Sequence, residues 1–110
     1  MSEEQLNKAF EDIKSYNSSV DEALVKAIIK HLGIALRSRD GSLVSCSDAD
    51  ELKRMREGFM KKKLALTASD EELDQALKEI CTQMSVSRAK SRITFCYLLT
   101  EKFSKQSVFA

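Results

Sequence analysis

Apolar residues recur along this chain at three- and four-residue intervals, with polar residues between them. Leu6, Ala9, Phe10 and Ile13 share one face, with Tyr16 near its end. That spacing is one side of an α-helix, and it predicts a first helix over 2–16. A second, over 19–32, carries Ala23, Leu24, Ala27, Ile28 and Leu32, widened by Val20 and Ile29. A third, over 48–63, has Leu52, Met55 and Phe59 in its stripe and Met60 beside them. The fourth, over 70–84, is the clearest, because Leu73, Ala76, Leu77, Ile80, Cys81 and Met84 hold one face for its whole length. The fifth, over 87–104, shows Ala89, Ile93, Cys96, Tyr97 and Phe103, with Phe95, Leu98 and Leu99 around them. So much apolar surface implies contact on more than one side.

The starts of these helices carry a shared signal. Ser2 with Gln5, Ser19 with Glu22 and Ser69 with Glu72 match the capping-box spacing, in which each side chain covers a backbone N–H left free at a helix start. Ser47 and Ser87 stand at the other two starts. Gly33 is the expected stop of the second helix, since glycine accepts the left-handed conformation such stops use. Residues 33–46 are expected to be an irregular connection pinned by Ile34, Leu36, Leu43 and Val44. Asp40-Gly41 is a turn signal, but its flanks do not alternate as strands do. Gly58 suits either close approach by a neighbouring helix or an exposed, merely tolerated glycine. The fold expected is therefore all-α, a single compact domain of about five helices over residues 1–110, with a tail at 105–110. Its core includes Ile13, Ile28, Leu73, Leu77 and Tyr97.

Composition agrees. The 110 residues are 43% hydrophobic and 32% charged, with no proline and three glycines, a globular composition with few helix breakers. The net charge of +1 gives no general attraction to nucleic acid or anionic membrane. No window has the ~20 apolar residues of a membrane helix, and the N-terminus lacks the basic start and apolar run of a signal peptide. Cys46, Cys81 and Cys96 are an odd number without close spacing, which argues against a secreted disulfide framework. Cys81 and Cys96 read as small core residues. The cytoplasm is the compartment expected.

Chemistry is sparse. Zinc sites want closely spaced Cys/His pairs, and none occurs. "DGSLVSCSDADE" (40–51) has oxygen-bearing residues but places its glycine second, unlike a calcium-binding loop. No metal, cofactor or catalytic residue is assigned. His31, the single histidine, suits packing or the helix dipole better than catalysis. Lys61–Lys63 read as a solvated helix end rather than a docking patch. Cys46, just before a helix start that would lower its thiol pKa, is the candidate reactive thiol. "EICTQMSVSRAKSRI" (79–93) resembles a helix-turn-helix, with Arg88, Lys90 and Arg92 as its nucleic-acid contacts. Against that reading, Ser91 is polar where the motif locks its helices together, and Ser85 stands where glycine is common. Val108 and Phe109 are apolar residues in a tail, so they either plug the domain's own core or form an interface with a partner.

"VDEAL" (20–24), "SLVSCSD" (42–48), "FMKKKLAL" (59–66) and above all "FCYLLTEKFSKQSVF" (95–109) resemble a family of short bacterial all-helical proteins classed as a domain of unknown function. That resemblance implies a bacterial, cytoplasmic helical domain, and it supplies no activity or site residue to transfer. The function expected is a non-enzymatic protein-interaction or structural module, with an unknown protein partner or self-association. Nucleic-acid binding through residues 79–93 and thiol redox chemistry at Cys46 are the alternatives.

Overall fold

The polar–apolar stripes fold as helices. The computed structural model describes residues 3–17, 19–37 and 39–109, without the side chains of Ile34, Arg39 and Asp40. In chain order the elements are α1 (Glu3–Lys14), α2 (Glu22–Leu32), a single turn α3 (Arg39–Ser42), β1 (Leu43–Val44), α4 (Ala49–Arg54), α5 (Asp70–Gln83), β2 (Lys90–Ser91) and α6 (Arg92–Lys102). α4 runs directly into a π-helical segment, Met55–Lys63, and the two act as one helix. Short 3-10 turns cover Gly33–Arg37 and Gln106–Phe109. The two strands pair antiparallel, Leu43 opposite Ser91 and Val44 opposite Lys90. The fold is all-α, with five main helices and this small clasp.

α6 is the axis of the bundle. Every residue from Thr94 to Thr100 is buried, as expected for a helix apolar all round. α1, α2 and α5 pack against it. Its buried polar groups are paired, because an unpaired one would cost about 1–3 kcal/mol. The Thr94 hydroxyl donates to the Asp12 carboxylate of α1, and the Thr100 hydroxyl donates to the Cys96 carbonyl at 2.8 Å. The Tyr97 hydroxyl accepts the Asp21 N–H at 2.9 Å, where α2 begins. The Asn17 amide donates to the Glu101 carboxylate oxygens at 2.7 and 2.8 Å. The α1–α2 connection is thus fixed to the central helix at both of its ends.

Helix starts follow the cap chemistry with shifts in register. Ser69 accepts the Glu72 N–H at 3.2 Å, as its spacing predicts. α2 starts instead from Asp21, which accepts the Leu24 N–H at 3.1 Å, and not from Ser19. α4 starts from Asp48, which accepts from Asp50 and Glu51, and not from Ser47. In both cases a carboxylate lies within two residues of the serine, and a charged acceptor makes the stronger bond. Ser87 caps no helix, since its hydroxyl donates to the Ala89 carbonyl and α6 begins five residues later at Arg92. The expected cap at Ser2 lies outside the described residues. Gly33 ends α2 at φ +46°, in the left-handed region foreseen for it.

The π-helical segment was not legible in the stripe. Its wider turn, seen where the Leu64 N–H reaches the Phe59 carbonyl at 2.9 Å, brings the adjacent residues Phe59 and Met60 both into the core. Gly58 faces open space, so it is tolerated rather than required by close packing. Cys46 and Cys81 form a disulfide across 35 positions. Cys81 is therefore a half-buried bridge residue rather than a simple core filler. A bridge closing a loop of that length stabilises by about 3–4 kcal/mol in the chain-entropy account.

Candidate functional site

Among the described residues, no group of three or more His, Cys, Asp and Glu gathers to hold a metal ion. No helix there is long and apolar enough to cross a membrane.

The three basic residues of the helix-turn-helix reading are not presented together. Residues 84–91 form a loop and strand β2, so the helix that would enter a groove begins at Arg92. Arg92 itself points inward. Its guanidinium donates to the carbonyls of Gly41 at 2.6 Å and Leu43 at 3.0 Å and pairs with Glu51. Both members of that ion pair are largely buried, which makes Arg92 a clasp between β1, α3 and α4. Lys90 donates to the Ser87 carbonyl at 2.9 Å and sits in the β-pair. Arg88 alone of the three is exposed.

Cys46 is held in the bond with Cys81 rather than displayed as a thiol. Cys96 is fully buried, and burial pushes its thiol up to about 12, so it stays protonated and unreactive. Val108 and Phe109 fold back on the domain's own core. The Phe109 ring lies 6.3 Å from Phe59 and 6.0 Å, edge-on, from His31. The Lys63 ammonium sits 4.7 Å above the Phe109 ring and donates to the Val108 carbonyl at 3.4 Å. Burial and the Lys63 charge lower the His31 pKa below its ordinary value, which suits a packing histidine. Lys61 is drawn to Glu57 and Asp70 at 2.8 and 2.7 Å, so the lysine run mostly serves its own fold.

The site that the stripes did not announce is a cleft of about 980 Å³. One wall is α1 and α2, and the other is the segment 33–43 with β2. Its floor is apolar, made by Ala9, Ile29, Leu36, Leu43 and Ile93. Its rim carries the exposed cations Lys8, Lys26, Lys30 and Arg37. Lys8 makes a long contact of 3.9 Å with Glu4. Lys26, Lys30 and Arg37 make no salt bridge among the described residues. The acid in the lining, Asp12, has its carboxylate engaged by the buried Thr94 hydroxyl. Among the described residues Arg54, Arg56, Lys61, Arg92 and Lys102 have acidic partners, whereas Lys26, Lys30 and Arg37 have none. The signal available in sequence was the pair Lys26 and Lys30, four apart on the polar face of α2. Their conjunction with Lys8 and Arg37 depends on the folding of residues 33–43.

Among the described residues the lining combines apolar side chains with cations and the engaged Asp12 carboxylate. A hydrophobic floor with a polar rim is the general plan of protein recognition surfaces. No curated protein matches the chain. A family model does match, and it covers residues 8–107, which include most of the cleft lining, the disulfide and half of the tail. On that match the chain belongs to the family described as "Protein of unknown function (DUF2853)".

Proposed function

We propose that this domain is a non-enzymatic interaction module, and that its cleft receives an acidic amphipathic segment of a partner protein. The observation that carries this reading is the cleft's apolar floor beside four exposed cations, of which Lys26, Lys30 and Arg37 make no salt bridge among the described residues. Helices that dock in grooves set apolar residues at helical spacing on the floor and leave polar residues at the edges. The cations here come from α1, α2 and the 33–37 turn, so they surround the floor instead of converging on one point. That distribution suits a chain bearing several carboxylates better than a small molecule with one charged head. Nucleic acid is the poorer occupant, because phosphate gains nothing from an apolar floor and no aromatic ring lines the cleft for base stacking. The cytoplasm is the compartment we propose, in keeping with the odd cysteine count.

The test is a fluorescence-anisotropy titration with a labelled synthetic peptide of about 15 residues, leucine at helical spacing and glutamate elsewhere. A second peptide replaces each glutamate by lysine. The acidic peptide should bind, more weakly as salt rises, and the double variant Lys26→Glu/Lys30→Glu should lose roughly tenfold in affinity, about 1.4 kcal/mol. Equal binding of both peptides, binding of neither, or indifference to the charge reversal refutes the reading.

A further inference from the structure

We infer that the Cys46–Cys81 disulfide is a reversible redox latch on the wall of the cleft, which reduction loosens. The inference rests on the binding role proposed above for its consequence and on the proposed cytoplasmic compartment for the bond's reversibility; the rest stands on separate observations.

The wall is only partly buried. Among the described side chains from Gly33 to Leu43, which leave out Ile34, Arg39 and Asp40, none is fully buried, and Leu36 packs against the edge of the core. Loosely packed segments of this kind open at low cost and follow small changes in their anchors. The anchors gather at the wall's C-terminal end. They are the β1–β2 pair, the two Arg92 bonds to the Gly41 and Leu43 carbonyls and the disulfide, which ties Cys46 to α5. Cys46 lies three positions beyond Leu43 of the cleft floor. α5 packs mainly on α6 and the π-helical segment, so the bond ties the chain just beyond the wall to a different part of the bundle.

The cysteines are also sorted as a switch requires. Both bridged residues are only half-buried, so a reductant can approach the sulfurs. The third, Cys96, is fully buried and removed from exchange. Disulfides in reducing compartments are characteristically transient and regulatory. The reaction is ordinary exchange with a dithiol. One reductant thiolate attacks a bridge sulfur, forming a mixed disulfide and releasing the other cysteine as a thiolate, which takes up a proton. The reductant's second thiol then resolves the mixed disulfide. The protein gains two electrons and two protons, and the dithiol becomes a cyclic disulfide.

The experiment compares the intact domain before and after dithiothreitol, with the bond's state checked by mass. Amide hydrogen exchange is followed across the chain, and the acidic peptide is titrated in both states. Exchange over residues 33–47 should accelerate on reduction by about tenfold or more while α6 stays protected. Peptide affinity should fall several-fold, and reoxidation should restore both. The variant Cys46→Ser/Cys81→Ser should match the reduced domain. Unchanged exchange over 33–47 overturns the inference. So does loss of protection throughout α6, which would make the bond a structural staple. Faster exchange at 33–47 with no peptide bound in either state leaves the latch standing and removes the proposed partner instead. Binding unchanged while the wall loosens overturns the coupling between them.

Discussion

His31 shows how one side chain acquires its role from its neighbours. In the sequence it ends an apolar helix beside a basic residue. In the fold its ring lies 6.1 Å from Phe59 and 6.0 Å from Phe109, with Lys63 close enough to oppose a second positive charge. Its pKa is lowered, so the unfolded chain takes up the proton first. The neutral form's contribution to stability is full above the ordinary histidine pKa of 6.5 and is lost as pH falls below that value toward the folded one. Thermal melts should therefore show stability falling between about pH 7 and pH 5. His31→Gln should flatten that slope, and an unchanged slope would assign it to other groups. Cys46 was legible as unusual for a different reason. Its position before a helix suggested thiol chemistry, but its partner 35 residues away could not be read from spacing.

Among the elements, the helices were legible and their joints were not. The α5 stripe and its Ser69 cap appear as the periodicity predicts. The start of α6 moved from 87 to Arg92 because residues 90–91 pair with β1, and a two-residue bridge leaves almost no mark in a sequence. Arg92 is the residue on which that joint turns. It satisfies two backbone carbonyls and the Glu51 carboxylate at once, in a site where its side chain is 15% exposed and that of Glu51 12%. Arg92→Ala leaves the largely buried Glu51 with Arg54 as its remaining partner at 3.0 Å and takes the donor from two carbonyls, and it should cost up to about 3–5 kcal/mol in denaturant unfolding. The double variant Arg92→Met/Glu51→Leu, which removes both buried charges and leaves Arg54 in solvent, should recover much of that loss. Equal destabilisation by Arg88→Ala, whose side chain is exposed, would show that the clasp contributes nothing special.

For the molecule as a whole, the tail question has a structural answer. Val108 and Phe109 cover the surface formed by α2 and the π-helical segment, so they act as a plug within the chain. Removing residues 105–110 should lower the melting temperature by an amount independent of protein concentration, with about 1–2 kcal/mol lost for the half-buried aromatic and its neighbour. A drop that depends on concentration, with dimer converting to monomer in sedimentation, would return those residues to an interface role. The cleft lies elsewhere, between α1, α2 and the 33–43 wall, and a truncated chain that still folds should keep it.

Periodicity alone was enough to indicate four amphipathic helices and a buried fifth, because burying apolar area along one helical face is a local property of spacing. The resemblance to a domain of unknown function agrees with the family model that covers residues 8–107. The cleft, the disulfide and the Arg92 clasp required the folded chain. Each joins residues at least a few dozen positions apart, through a connecting segment with no period of its own. Such contacts are set by how the helices pack and where the loops must run to close them, and a linear pattern holds no record of that distance.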